Sequence, residues 1–216
     1  MPRSATPTRD RLLDAAEDLV ARHGPDAVST RQILAAAGAG NMAAIQYHFG
    51  TKEGLLAAVV ARVLEPLERD RAAELAALGA SADVSLYDEC LAYVRPMVRL
   101  RAGEHGRRAA GVMGRVLGSS RDQLERIGVT TDETDAAFAA RFARHMPAMS
   151  DRERHLRLQS ALAVVVFYAL GYTDRPDQES AGVDETAASL ATVVAAVLAA
   201  PAASPDLPVG SRLPGR

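Results

Sequence analysis

The chain is poor in the residues on which most catalytic and secreted proteins depend. Its 216 residues include one cysteine, Cys90, no tryptophan, and only 5 tyrosines and 4 phenylalanines. A single cysteine closes no internal disulfide and suits a reducing compartment. The histidines, His23, His48, His105, His145 and His155, are scattered, with no HExxH motif and no pair at helical spacing. No zinc site or other metal site is therefore expected. Gly38-Ala39-Gly40 lacks the preceding strand and third glycine of a dinucleotide-binding loop. Ser119 and Ser120 have no base nearby in sequence. These gaps argue against an enzyme and against a bound cofactor. Long apolar runs are missing too: the run from Ala161 to Leu170 is about half of the roughly 20 residues that a membrane span needs. No signal-peptide pattern precedes the acidic first helix, so a cytoplasmic location is expected.

Lysine is nearly absent. Lys52 is the only one, and the other basic residues are all arginine, in a chain of formal net charge -2 and pI about 6.2. Near-neutrality excludes a generally basic nucleic-acid binder, but the average hides the distribution. Residues 29–52 hold Arg31 and Lys52 and no acidic residue, which makes that stretch locally positive.

What remains is helix. Apolar residues recur at spacings of three and four from Thr8 to His23, where Leu12, Leu13, Ala16, Leu19 and Val20 form one stripe, and Gly24 with Pro25 stops it. Arg9, Asp10, Asp14, Glu17 and Arg22 fall on the other side, a mixture of signs expected of a solvated face. Leu55 to Leu78 continues as a long helix that Pro66 is expected to kink or divide. Further helical segments are expected at about Val84–Leu100, Arg107–Leu117, Arg121–Ile127, Thr131–His145, Asp151–Leu170 and Asp184–Ala199. No stretch alternates for long with period two, so the fold class is all-α.

The densest information lies in residues 29–56, STRQILAAAGAGNMAAIQYHFGTKEGLL. Ser29 and Gln32 form the pattern of a capping box at the start of a short helix carrying Ile33 and Leu34. Gly38 and Gly40 break it. Asn41 suits the cap of a second short helix, in which Met42, Ile45 and Phe49 recur at inward-pointing spacings. Ala43, Ala44, Gln46, Tyr47 and His48 are left on or near the outer face. Two short helices with small, amide and phenol side chains outward have the shape of a major-groove reader, and glutamine offers a donor and an acceptor to an adenine edge. Gly50 and Thr51 stop that helix and cap the next. Lys52, at the start of this next helix where backbone amides also point outward, suits a phosphate anchor.

This segment resembles the amino-terminal domain of the TetR family of bacterial transcriptional regulators. The resemblance covers about residues 8–64 and is carried most specifically by Ile45, Gln46, Tyr47, His48, Phe49, Gly50, Thr51, Lys52 and Glu53, followed by Leu55 and Leu56. It implies Thr30, Arg31, Tyr47 and Lys52 as phosphate contacts, with Met42, Ala43 and Gln46 on the base side. Asn41 joins this candidate DNA-binding set as the cap, and His48 either joins it or serves as an interior hydrogen-bonding residue. Two departures stand out. The turn before the second helix is one residue longer than the family's usual form, which bears on the docking angle, and Gln46 stands where tyrosine is common.

The implied organisation is an N-terminal three-helix helix-turn-helix domain followed by a helical ligand-binding and dimerisation domain. The boundaries are a flexible arm at 1–7, whose Arg3 can reach DNA or lie free, a DNA-binding domain at 8–51, a connecting helix at 52–78, a ligand-binding and dimerisation domain at 79–200, and a disordered tail at 201–216. The broad apolar surfaces of about 151–170 and 184–199 point to a four-helix homodimer interface; packing within one subunit is the alternative. A small-molecule pocket is implied between the two regions, with Tyr93, Met97, Met113, Phe138, Phe142, Phe167 and Tyr168 as candidate lining, although such stripes also serve as plain core. Gly103, Glu104, His105 and Gly106 form a break in the chain there. The function expected is that of a ligand-responsive regulator, a repressor that binds a palindromic double-stranded operator as a homodimer and is released by an effector. A helical protein–protein interaction module, or an activator without a small ligand, is the alternative.

Overall fold

The structure, a computed structural model, describes residues 8–79, 83–103, 106–128, 139–146, 148–172 and 182–201. The expected arm at 1–7, most of the linker at 79–82, Glu104 and His105, the start of the helix expected at Thr131 together with Phe138, and all but Pro201 of the tail lie outside the described residues. Every regular element within them is helical. The order is α1 (Thr8–His23), α2 (Thr30–Ala36), α3 (Ala43–Phe49), α4 (Lys52–Ala77), α5 (Leu86–Ala102), α6 (Gly106–Leu117), α7 (Arg121–Arg126), α8 (139–143 as far as described), α9 (Asp151–Ala169) and α10 (Val183–Ala199).

Local chemistry explains most of these boundaries. Ser29, Thr51, Ser85, Ser120 and Ser150 each accept a hydrogen bond from an amide three residues on, so five helices start at a hydroxyl cap. At Ser29 the full capping box forms, the amide of Ser29 donating to Gln32 Oε1 at 2.8 Å. Gly24 closes α1 with φ +80°, and its amide donates to Val20 at 2.8 Å.

One continuous apolar core runs through α1, α4, α5, α6, α9 and α10. Leu12, Leu13, Ala16 and Val20 of α1 pack with Ile33, Ile45 and the α4 residues Leu55, Leu56, Val59 and Val60 to hold the short helices. Helix α6 lies between α1 and α9. Its glycines permit the approach: a Cβ on Gly111 would meet Ala21 at 3.4 Å, and one on Gly114 would meet Leu170 at 2.7 Å.

One expectation is narrowed and one is corrected. Of the two outcomes expected at Pro66, division does not occur, because α4 runs unbroken for 26 residues through it. Leu67 and Arg71 beyond the proline are both buried, Arg71 donating from Nε to the Tyr93 carbonyl at 3.2 Å, and this packing outweighs the roughly 3 kcal/mol cost of an internal proline. Glu17 is not on a solvated face. It is 5% exposed and accepts from Arg62 of α4 and, at 2.9 Å, from Arg108 Nε of α6. Charge pairing with distant helices overrides the local pattern.

Candidate DNA-binding interface

The turn from α2 into α3 is built by backbone chemistry. Gly38 takes φ +61°, and the amide of Ala39 reaches back to the Leu34 carbonyl at 2.9 Å, closing the end of α2 in a Schellman arrangement. Asn41 Oδ1 accepts from the Ala43 amide at 2.9 Å in a turn that leads into α3, whose N-cap is Met42 and not Asn41 as its residue type suggests. Ile45 then buries against the core, and this fixes the rotation of α3.

That rotation decides what faces outward. Tyr47 is 84% exposed and Met42 65% exposed, and Asn41, Ala43 and Gln46 are exposed with them. Met42 therefore does not point inward with Ile45 and Phe49 as its spacing suggests. It holds the N-cap position of α3 with helical backbone angles, φ −54° and ψ −30°, but the core that buries Ile45 does not cover it. Its outward position agrees instead with the base-side role implied by the resemblance. His48 is half-buried, its ring edge-on to Tyr47 at 4.9 Å and to Phe49 at 6.2 Å. Aromatic contacts hold it, and among the described residues it makes no hydrogen bond. Arg9 of α1 lies 5.4 Å above the Phe49 ring, bringing the start of α1 to the end of α3.

The start of α4 completes the face. Thr51 Oγ1 accepts from the Gly54 amide at 3.0 Å. Gly54 is required by space, since a Cβ there would stand 2.2 Å from the Phe49 carbonyl oxygen. This contact seats Lys52 beside the end of α3. Neither Lys52 nor the exposed Arg31 is in an ion pair among the described residues, and Thr30 is half-exposed at the start of α2. The structure thus gathers Thr30, Arg31, Asn41, Met42, Ala43, Gln46, Tyr47 and Lys52 on the outer side of α2, α3 and the first turn of α4, with both cations uncommitted.

Residues 12–59 match the family model described as bacterial regulatory proteins, tetR family, and residues 91–200 match the model of the tetracyclin repressor-like C-terminal domain. The chain belongs to the TetR family of bacterial transcriptional regulators. No curated protein matches it. Solved structures with the same fold include a TetR-family transcriptional regulator from Bordetella parapertussis, 18% identical, covering 87% of this chain and 94% of that one at a TM-score of 0.63. A tetR-family regulatory protein from Rhodococcus RHA1 is 18% identical, with coverages of 90% and 98% and a TM-score of 0.58. PfmR from Thermus thermophilus is 21% identical, with coverages of 86% and 97% and a TM-score of 0.53. At such identities these likenesses speak for the fold alone.

The C-terminal candidates divide. Tyr93 and Phe142 meet edge-to-face at 6.0 Å, and the Arg71 guanidinium covers the Tyr93 ring at 3.8 Å. Met97 and Met113 are buried, as is Tyr168, over whose ring Arg101 stands at 4.8 Å. Phe167 is different. It is 57% exposed, lies against Tyr172 at 5.2 Å and points away from the interior, so it lines no space within this chain.

Sequence reading missed the polar group beside Tyr93. Glu89 is fully buried, with Arg141 Nε 2.9 Å and His145 Nε2 2.8 Å from its carboxylate and Arg144 also paired to it. The spacing of Glu89, Tyr93 and Met97 on one helix face was a usable signal, but the arginines come from about 50 residues away. Burial, reinforced by the Glu89 charge, pushes the neighbouring Cys90 thiol up to about 12. Among the described residues no group of three histidine, cysteine or acidic side chains could hold a metal ion, and no helix is long and apolar enough to cross a membrane.

Proposed function

We propose that this TetR-family regulator is a ligand-responsive repressor, a cytoplasmic homodimer that binds an inverted-repeat operator and is released by a small-molecule effector. The observation that most supports DNA binding by this face is its composition: exposed amide, apolar and phenol groups on α3, flanked by two cations without an ion pair among the described residues, with no acidic residue from 29 to 52. None of the candidate contacts is a carboxylate; the exposed Glu53 follows Lys52 in the first turn of α4.

One such module buries only about 600–1,000 Å² on DNA, so useful specificity requires two half-sites. The second copy fits the outward face of α9 and α10, at about 151–170 and 184–199. There Leu156, Phe167 and Val193 are exposed large apolar side chains on two adjacent helices. Arg157 ties these helices together, donating to the carbonyls of Val197 at 3.3 Å and Pro201 at 2.8 Å at the end of α10. In this reading the effector site involves Tyr93, Met97, Met113, Phe142 and Tyr168, with Glu89 and its partners as the polar groups that orient a ligand. An effector that prefers the dimer geometry unsuited to DNA lowers operator affinity by its differential binding, typically about 1–3 kcal/mol.

The test is titration of the purified full chain against its flanking intergenic DNA and against random duplex, over a salt series. Lys52→Ala should weaken binding and reduce the salt slope by roughly one if Lys52 neutralises a phosphate. Tyr47→Ala should weaken it as well. Unchanged affinity in both variants would overturn the assignment of this face.

A further inference from the structure

The outward face of α3 is short of charge. Asn41, Met42, Ala43, Gln46 and Tyr47 are its exposed side chains, and none of them is ionised at neutral pH. Each base pair asks for a different chemistry in the major groove. Guanine offers two acceptors, best met by arginine or lysine, and cytosine offers an amine, best met by a carboxylate. Adenine pairs a donor with an acceptor and is met by a side-chain amide, while the thymine methyl is met by an apolar group. Both charged solutions are missing from this face.

The amide solution occurs once in a usable form. The Gln46 side chain is exposed and makes no hydrogen bond among the described residues, whereas Asn41 has its oxygen committed to the Ala43 amide. The apolar solution lies one turn earlier. Met42 and Ala43 precede Gln46 by four and three residues, which puts them on the same side of the helix. His48, the other ring that can donate to guanine, is held half-buried between Tyr47 and Phe49.

We propose that α3 reads A·T pairs. Gln46 reads one adenine through the two ends of its amide: the NH2 donates to N7 and the oxygen accepts from the N6 amine. Met42 and Ala43 pack on the C5-methyl of a neighbouring thymine. The core of each half-site is then A·T-rich, with no essential guanine beneath α3. This rests on the DNA-binding reading given above.

The experiment starts with selection of duplexes from a randomised pool by the full-length protein. Single-atom changes are then made in the selected half-site. The expected result is an A·T core in which 7-deazaadenine at one position, which removes N7, lowers affinity roughly 5- to 150-fold for the parent protein and leaves Gln46→Ala unaffected. Uracil in place of the adjacent thymine, which removes the methyl, should weaken the parent in the same assay. Gln46→Glu keeps an acceptor and loses the donor, so its selected base should move from adenine toward cytosine. A core with a required guanine, sensitive to 7-deazaguanine, or a sequence preference unchanged in Gln46→Ala would overturn the proposal. The side chain is exposed, so Gln46→Ala should melt like the parent, and a melt confirms that any loss is not unfolding. If no sequence is enriched and binding ignores Tyr47→Ala and Lys52→Ala, the DNA-binding reading itself falls, and the proposal falls with it.

Discussion

Replacing Glu17 with glutamine tests how the DNA-binding helices are held to the rest of the chain. Glu17 of α1 is 5% exposed, and its two carboxylate oxygens take Arg62 of α4 and Arg108 of α6. Glutamine keeps the shape, removes the charge and turns one acceptor toward a guanidinium as a donor. Removing one partner of a fully buried pair costs about 3–5 kcal/mol. Two features lower that figure here. The Arg62 and Arg108 side chains are 35% and 34% exposed, so water screens the orphaned charges, and Arg62 keeps Asp14 at 2.9 Å. A loss of about 2 kcal/mol is expected. Urea unfolding at fixed protein concentration, followed by far-ultraviolet circular dichroism, measures it for Glu17→Gln, Arg108→Ala and the double variant. If Glu17 and Arg108 act as a pair, the double variant should lose less than the sum of the singles by about 1 kcal/mol. Additivity within about 0.3 kcal/mol, or a loss under about 0.5 kcal/mol for Glu17→Gln, would refute the reasoning.

Other parts of the molecule yield equally direct outcomes. Gly54→Ala should destabilise the chain by about 1–3 kcal/mol and weaken DNA binding, because the new Cβ meets the Phe49 carbonyl at 2.2 Å; since alanine is the better helix former, a raised Tm would overturn this. Cys90, with its thiol at about 12, should have a thiolate fraction near 10⁻⁴ at about pH 8. It should therefore resist a thiol reagent until urea unfolds the chain, and rapid labelling of folded protein would contradict its burial. Phe167→Asp should shift the protein toward monomer in sedimentation velocity without unfolding it, because Phe167 is 57% exposed in the isolated chain; a dimer that persists unchanged would move the interface elsewhere.

The sequence made the N-terminal helices legible because their signals are local. The Ser29 and Gln32 pair, the Gly38 turn and the Thr51 cap each act within six residues, and the observed boundaries follow them. The first helix, Thr8–His23, is likewise where its apolar stripe and the Gly24 stop place it. What failed depended on contacts across the chain. Glu17 reads as a surface acid because its partners stand 45 and 91 residues away. Pro66 reads as a kink or a division, and that it does not divide the helix depends on the burial of Leu67 and Arg71 beyond it, which is tertiary. Met42 misleads for a subtler reason: its backbone is helical and its spacing to Ile45 is that of one face, but the core that buries Ile45 ends before it. Phe167 illustrates a last limit, since an aromatic on an apolar helix has the same spacing whether it faces a pocket or a partner.

The choice of arginine over lysine has a structural reason in the interior. Glu17 takes Arg62 and Arg108; Glu74 takes Arg95, at 3.0 Å, and Arg99; Glu89 takes Arg141 and Arg144. In every case two guanidiniums grip one carboxylate, and in every case at least one comes from a different helix. A guanidinium has a rigid fork of donors and is weakly hydrated, so it can divide its bonds among several acceptors at low desolvation cost. An ammonium on a flexible stem does this poorly. The clamps join α1 to α4 and α6, α4 to α5, and α5 to the 139–146 segment, so they tie together the helices between the DNA face and the C-terminal region. Through α5 and α4 the clamp at Glu89 is joined to those at Glu74 and Glu17. Lys52 stands apart from that network. A compact point charge on a mobile stem suits a phosphate whose position varies with the bound sequence, and the one lysine of the chain stands at the edge of the face that would meet it.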